Sequence, residues 1–106
     1  MIARKVSLRL KPHTAQEFRR VVEDQVIPLL RKQKGFQDEI MLIAPDGLDA
    51  IGISLWEEQE DAEAYHRRTF PGVQKVLAKM IEGTLQVKSY EVSNSTFHII
   101  AAHAAF

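Results

Sequence analysis

Two apolar runs, residues 36–44 and 48–56, stand on either side of Pro45-Asp46-Gly47, and that arrangement obliges the middle of the chain to fold back on itself. Proline presets φ at the first corner of a turn, and glycine takes a positive φ at no steric cost. The tripeptide therefore predicts a tight turn, and the runs beside it a β-hairpin. Both strands carry apolar residues in both phases: Ile40 and Leu42 alternate with Met41 and Ile43, and Ile51, Ile53 and Leu55 with Ala50 and Trp56. A strand with one wet face alternates cleanly, so this pattern predicts a sheet covered on both sides. Gly52, in mid-strand, predicts a bulge or a close backbone approach.

Upstream, Val6, Leu8 and Leu10 alternate with Ser7 and Arg9, predicting a strand over 6–10 that breaks at Lys11-Pro12-His13. Thr14 and Glu17 have the spacing of a capping box. Phe18, Val21, Val22, Val26, Leu29 and Leu30 then mark one helical face, and Pro28 predicts a kink or a break within it. Arg31, Lys32 and Lys34 suit a helix C-terminus, and Gly35 suits a left-handed cap. Downstream of the hairpin, residues 57–68 run from an acidic start to a basic end, as a helix dipole favours. Thr69-Phe70-Pro71-Gly72 interrupts the helix, a second piece spans 73–80, and Glu82-Gly83 ends it. A fourth strand follows over 85–92, Asn94-Ser95-Thr96 reads as a turn, and 97–100 as a short edge strand. Residues 101–106 form a tail with no assignment.

The order strand, helix, strand, strand, helix, strand is the split βαβ, or ferredoxin-like, arrangement: an α+β fold with helices on one face of a four-stranded antiparallel sheet. The 106 residues make a single domain. Since the strand pattern asks for burial on the other face too, a second copy is the simplest cover, and the chain is expected to form a homodimer.

Several function classes drop out. Fourteen basic residues balance fourteen acidic ones, which argues against a nucleic-acid partner. Lys34-Gly35-Phe36 mimics the opening of an RNA-recognition signature, but Gln37, Asp38 and Glu39 follow where a second aromatic belongs. The absence of cysteine excludes disulfides, thiolate catalysis and Cys-ligated zinc. His13, His98 and His103 show no metal-binding spacing, and the glycines form neither a dinucleotide fingerprint nor a P-loop. No serine sits in a nucleophile-elbow context. Met1-Ile2-Ala3-Arg4-Lys5 is no signal-peptide start, and no run of roughly 18 apolar residues occurs, so the expectation is a cytoplasmic protein that does not span a membrane.

The candidate site gathers around Trp56, the only tryptophan, where a strand end meets a helix start. Tyr65 and His66 on that helix are the candidate proton-handling pair: a histidine could take a phenolic proton and a tyrosine could hydrogen-bond the anion. A core tryptophan with a solvated helix end would give the same sequence, and neighbouring helical residues do not face the same way. Gly35-Phe36, then Ile53-Ser54-Leu55-Trp56-Glu57-Glu58 with Ala62, Tyr65 and Phe70, resemble the antibiotic biosynthesis monooxygenase domain. The resemblance implies a dimeric α/β barrel with a pocket between sheet and helices in each subunit. It also implies oxidation of aromatic phenols by dioxygen with no metal or flavin, and a small aromatic ligand. Trp56 falls on the family's strand-end tryptophan. A sister group degrades haem, using an asparagine and a histidine where this chain has Ser7 and Gln74, so haem degradation is not expected and no cofactor is implied. The alternative is a non-catalytic dimer of the same fold that binds a small ligand or serves as a scaffold.

Overall fold

In the computed structural model, which describes residues 1–100, the hairpin forms where the sequence places it: β2 (Phe36–Ile43) pairs antiparallel with β3 (Asp49–Trp56). Gly47 takes φ 75°, and the Asp46 carboxylate accepts the Leu48 N–H at 2.9 Å. β1 (Ile2–Leu10) lies between β3 and β4 (Ile81–Glu91), so the sheet order is β2-β3-β1-β4 with every neighbour antiparallel. This is the ferredoxin-like sheet. β1 begins at Ile2, ahead of the alternating stretch, and β4 begins at Ile81, ahead of Leu85. Gly83, which the sequence reads as a stop, instead sits inside β4 at φ 72°, opposite a register shift between Ser7 and Arg9. Gly52 carries no bulge, and what comes closest to it is side chain, not backbone. The register runs through Val6, Gly52 and Met41 unbroken, and the missing side chain admits Glu39 and Met41, whose Oε1 and Cε would lie 3.0 and 3.1 Å from a Cβ there.

The first crossover is one helical path in three pieces: α1 (Ala15–Val21), a π turn (Val22–Val26) and α2 (Ile27–Arg31). The helical backbone continues through Pro28 without a break. The π turn ends with the Ile27 N–H bonded to the Val22 carbonyl, which leaves Pro28 in the first turn of α2, where no donor is needed. The extra residue also sets the buried face, since Phe18, Val22, Val26 and Leu30 follow one another at intervals of four, while Leu29 turns outward. The capping box does not form. Thr14 Oγ1 donates to the Lys11 carbonyl, and Glu17 pairs with Lys79 at 3.0 Å.

The second crossover holds α3 (Gln59–Arg68), α4 (Phe70–Leu77) and a single 3₁₀ turn (Ala78–Met80). The expected four-residue interruption shrinks to Thr69, because Pro71 is tolerated in the first turn of α4. Both crossovers cover the same face of the sheet, and Trp56, Phe18, Leu10 and Met80 are wholly buried between the layers. Val92 N–H bonds to the Met1 carbonyl, and residues 92–97 then pass over Ile53 and Leu55 on the opposite face. Residues 97–100 form no strand. Phe97 and His98 N–H both donate to Ser95 Oγ, and the His98 ring meets the Asp38 carboxylate on β2. The far half of that face stays open, with Ile40 and Leu42 44% and 49% exposed. The tail 101–106, with His103, lies outside the described residues. Among those described, no helix is long and apolar enough to cross a membrane.

Candidate functional site

Register, not proximity in sequence, assembles the site. Arg4 on β1 stands opposite Ser54 on β3 and Ser89 on β4, and Ser54 stands opposite Glu39 on β2. Glu39, Ser54, Arg4 and Ser89 thus form a polar row across all four strands, on the face that the helices cover. The next row toward the strand end holds Phe36, Trp56 and Ile2. α3 crosses above. Successive helical residues point about 100° apart, so Tyr65 faces the core and His66 its flank.

Arg4 brings the two together. It is 3% exposed, its guanidinium lies 4.1 Å from the Phe70 ring centroid and 5.2 Å from that of Tyr65, and one nitrogen meets His66 Nδ1 at 2.9 Å. A guanidinium only donates, so Nδ1 accepts here and the proton of the neutral imidazole sits on Nε2. His66 then offers an N–H to its surroundings instead of a free lone pair, a different part from the proton acceptor expected of it. Its ring stacks on Phe70 at 5.6 Å. No ion pair within 4.0 Å links Arg4 to any carboxylate among the described residues. The cation is held by aromatic faces instead, which attract it through their quadrupoles.

Titration follows from this burial. Burial lowers the pKa of Arg4 from its usual value, while Tyr65 and Glu39 pull it back. Burial pushes the Glu39 carboxyl up to about 7 against the opposing pull of Arg4, and the Tyr65 phenol up to about 12. His66, exposed on α3, is held below the ordinary histidine value by partial desolvation and then by Arg4.

Two spaces meet at Arg4. An open groove of about 520 Å³ runs between α3 and the β1–β4 edge, lined by Ile2, Ala62, His66, Val87, Ser89 and Tyr90 among others. An inner apolar cavity of about 40 Å³, room for a single water, lies beneath the helices and is bounded by Arg4, Glu39, Ser54, Tyr65 and Phe70. Arg4 lines both.

Of the residues singled out in sequence, Tyr65 walls the inner cavity and His66 the groove. Trp56 borders neither. It is wholly buried, its ring centroid 5.6 Å from Phe36 and 5.1 Å from Tyr65, with Nε1 donating to Ser54 Oγ at 2.8 Å. No face of the indole is open to a stacked ligand in this packing. Ser7 projects from the opposite side of the sheet, paired with Ile51 and Gln86, and Gln74 is exposed on α4. Arg4 and Glu39 escape sequence reasoning, although each left a signal: a charge in the same strand phase as apolar residues (Ile2, Val6, Leu8; Met41, Ile43). Among the described residues no three His, Asp or Glu side chains converge.

No protein-family model and no curated protein matches the chain. Solved structures do. The monooxygenase from ActVA-Orf6 of Streptomyces coelicolor, in complex with nanaomycin D, superposes with a TM-score of 0.77 at 13% identity over 92% of both chains. A Bordetella bronchiseptica protein described as an antibiotic biosynthesis monooxygenase gives 0.76 at 17% identity, over 88% of this chain and 97% of that one. The chain has the antibiotic biosynthesis monooxygenase fold. SnoaB, a cofactor-independent oxygenase from Streptomyces nogalater, gives 0.75 at 13% identity over 92% and 97%. At such identities the likeness is one of fold. Within this monooxygenase fold, the polar row under α3 is what the chain's own residues supply.

Glu39 makes that row testable by pH. Its carboxyl titrates near 7 when folded against 4.5 for the ordinary group, so the folded state binds more protons between those values. Stability from Glu39 is therefore fully present below about pH 4.5 and lost as pH rises through about 7. Glu39→Gln should stabilise the fold at about pH 8 by on the order of 2 kcal/mol, allowing for partial exposure, and do nothing near pH 4. Urea titrations of both proteins at the two pH values measure this. An equal gain at both would remove Glu39 titration as the cause.

Proposed function

We propose that the chain is a cofactor-independent oxygenase that oxidises a small aromatic hydroxyl compound with dioxygen. The observation that carries this reading is the Arg4 guanidinium, buried without a carboxylate partner among the described residues and lining both groove and cavity. Dioxygen reacts readily with electron-rich organic anions, so without a cofactor the protein's task is to make and hold such an anion. A fixed cation and preorganised N–H donors do that. Arg4 and the His66 Nε2–H would hold the oxyanion, with the Tyr65 hydroxyl beside them. Trp56 would keep Tyr65 in place from behind. The anion then gives an electron to dioxygen, the radical pair combines at carbon, the peroxide anion takes back the proton that the hydroxyl gave up, and loss of water from the hydroperoxide leaves a carbonyl. The nanaomycin D complex and the cofactor-independent oxygenase of the same fold support this reading.

Oxygen uptake on anthrone or a naphthol tests it. Wild type should consume oxygen, and His66→Ala should lower the rate by about 100-fold, the usual effect of removing one oxyanion donor. The same change should cost the fold only about 1 kcal/mol, for the donor that Arg4 can no longer place. A wild-type protein that binds these compounds but consumes no oxygen would sink the oxygenase reading and leave a ligand-binding dimer.

The second copy belongs to the same proposal. The open half of the helix-free face, with Ile40 and Leu42 exposed beside Ile51 and Ile53, is where we place it. Sedimentation at micromolar concentration should give twice the chain mass, and Leu42→Asp should return the monomer. A monomeric wild type would end that assignment.

A further inference from the structure

The inner cavity has a second charged wall that the proposed reaction has not used. Glu39 faces Arg4 across Ser54 in the same row, and both side chains bound the cavity. Gly52 holds the room open, since a side chain there would meet Glu39 Oε1 at 3.0 Å. The groups around the carboxyl leave it few other roles. α1 through α2 present Val22, Val26 and Leu30 to this cavity, and α4 presents Phe70, Val73 and Leu77. Arg4 from β1 and Tyr65 from α3 are the titratable groups that face Glu39. Tyr65, raised to about 12, does not ionise near neutral pH. His66 gives its Nδ1 lone pair to Arg4. Among the described residues Glu39 is then the one basic group on the inner-cavity wall, whereas Glu63, which lines the groove, is exposed on α3. A carboxyl that titrates near 7 changes protonation close to neutral pH, as a proton acceptor must.

Resting on the oxygenase reading for its ligand class, we propose that Glu39 is the proton acceptor of this site. An acidic aromatic hydroxyl compound, a phenol or an enolised ketone, binds in the groove as its anion on Arg4, and its proton passes to Glu39 through one water in the inner cavity. The ligand O–H bond breaks and its electron pair stays on oxygen. The water receives one proton and gives one up, and an O–H bond forms on the Glu39 carboxylate. No oxidant takes part in this step, so it can be measured apart from turnover.

The measurement is proton-linked binding of 4-nitrophenol, which titrates without being oxidised, by calorimetry in buffers of different ionisation enthalpy. At about pH 8 the free probe is mostly phenolate and Glu39 is mostly ionised, so binding an anion beside Glu39 should draw nearly one proton from the buffer in wild type. Glu39→Gln should bind the probe at least as tightly and take up almost none. Arg4→Met should weaken phenolate binding tenfold or more while leaving the neutral probe benzyl alcohol bound as before, which also confirms that the variant is folded. Equal proton uptake by wild type and Glu39→Gln, or no uptake by wild type, would overturn the assignment of Glu39. So would undiminished phenolate binding by Arg4→Met. Proton-linked binding without oxygen consumption would sink the oxygenase reading alone, and oxygen consumption with unlinked binding would sink this one alone.

Discussion

Trp56→Ala should cost the fold about 3–5 kcal/mol, the range for deleting a large aromatic from a core. The ring is wholly buried and in contact with Phe36 and Tyr65, and the layers around it are pinned by β1–β3 pairing, so collapse into the void is limited. The hydrogen bond from Nε1 to Ser54 goes with it, loosening the middle of the polar row. Trp56→Phe keeps most of the volume and loses the donor, and should cost about 1–2 kcal/mol. Urea denaturation followed by circular dichroism measures both, since the intrinsic fluorophore is gone. A loss under about 1 kcal/mol for alanine would mean the ring does not fill the core. Tyr65 should also drift from Arg4 in the alanine variant, so 4-nitrophenol binding should weaken although Trp56 touches no ligand.

Gly35→Ala should be nearly as damaging for a different reason. Gly35 sits at φ 78°, a conformation that costs alanine about 1 kcal/mol. A methyl there would also overlap the Asp61 carboxylate, and even the Asp61 Cβ would lie 2.8 Å away, a crowding of the kind that costs about 1–3 kcal/mol. The Gly35 carbonyl accepts the Glu57 N–H at 2.8 Å, so the entry to β2 and the exit from β3 would shift together. Thermal melts of Gly35→Ala, Asp61→Ala and the double variant test this. The double variant should recover part of the loss, not all, because φ is unchanged and one close contact remains. Full additivity would mean that Asp61 is not what excludes the side chain.

These two glycine and tryptophan positions show what was legible in the sequence. Pro45-Asp46-Gly47 was readable because a turn is decided within a few residues, and Gly35 because only glycine favours a positive φ. The ferredoxin-like order followed from turns and periodicity alone. Arg4 was hidden because its meaning depends on which strand lies beside it: only the pairing with Ser54, and through it Glu39, turns two distant charges into one row. Tyr65 and His66 were found by position near Trp56, but their roles hang on a guanidinium 62 residues before His66. Thr14 and Glu17 failed as a capping box since each had another partner within reach, the Lys11 carbonyl and Lys79. Phe70-Pro71-Gly72 read as a break because Pro and Gly usually punctuate, yet here they open a helix that Phe70 and Val73 fasten to the core.

The π turn at Val22–Val26 lets the first crossover absorb a change of one residue in chain length, in a way its composition does not reveal. A π turn holds one residue more than an α turn, so deleting one residue from it would let the turn close in ordinary α geometry with the residues after it still in phase. Leu30 would stay on the cavity wall, because it would then follow Phe18 by about three α turns. Substitutions in Val22–Val26 would alter packing one side chain at a time, whereas a single-codon deletion there would remove the π turn and leave Ile27–Arg31 in place. Comparisons of this crossover with related chains should therefore be aligned by which residue fills the cavity wall, not by helical periodicity counted from Ala15.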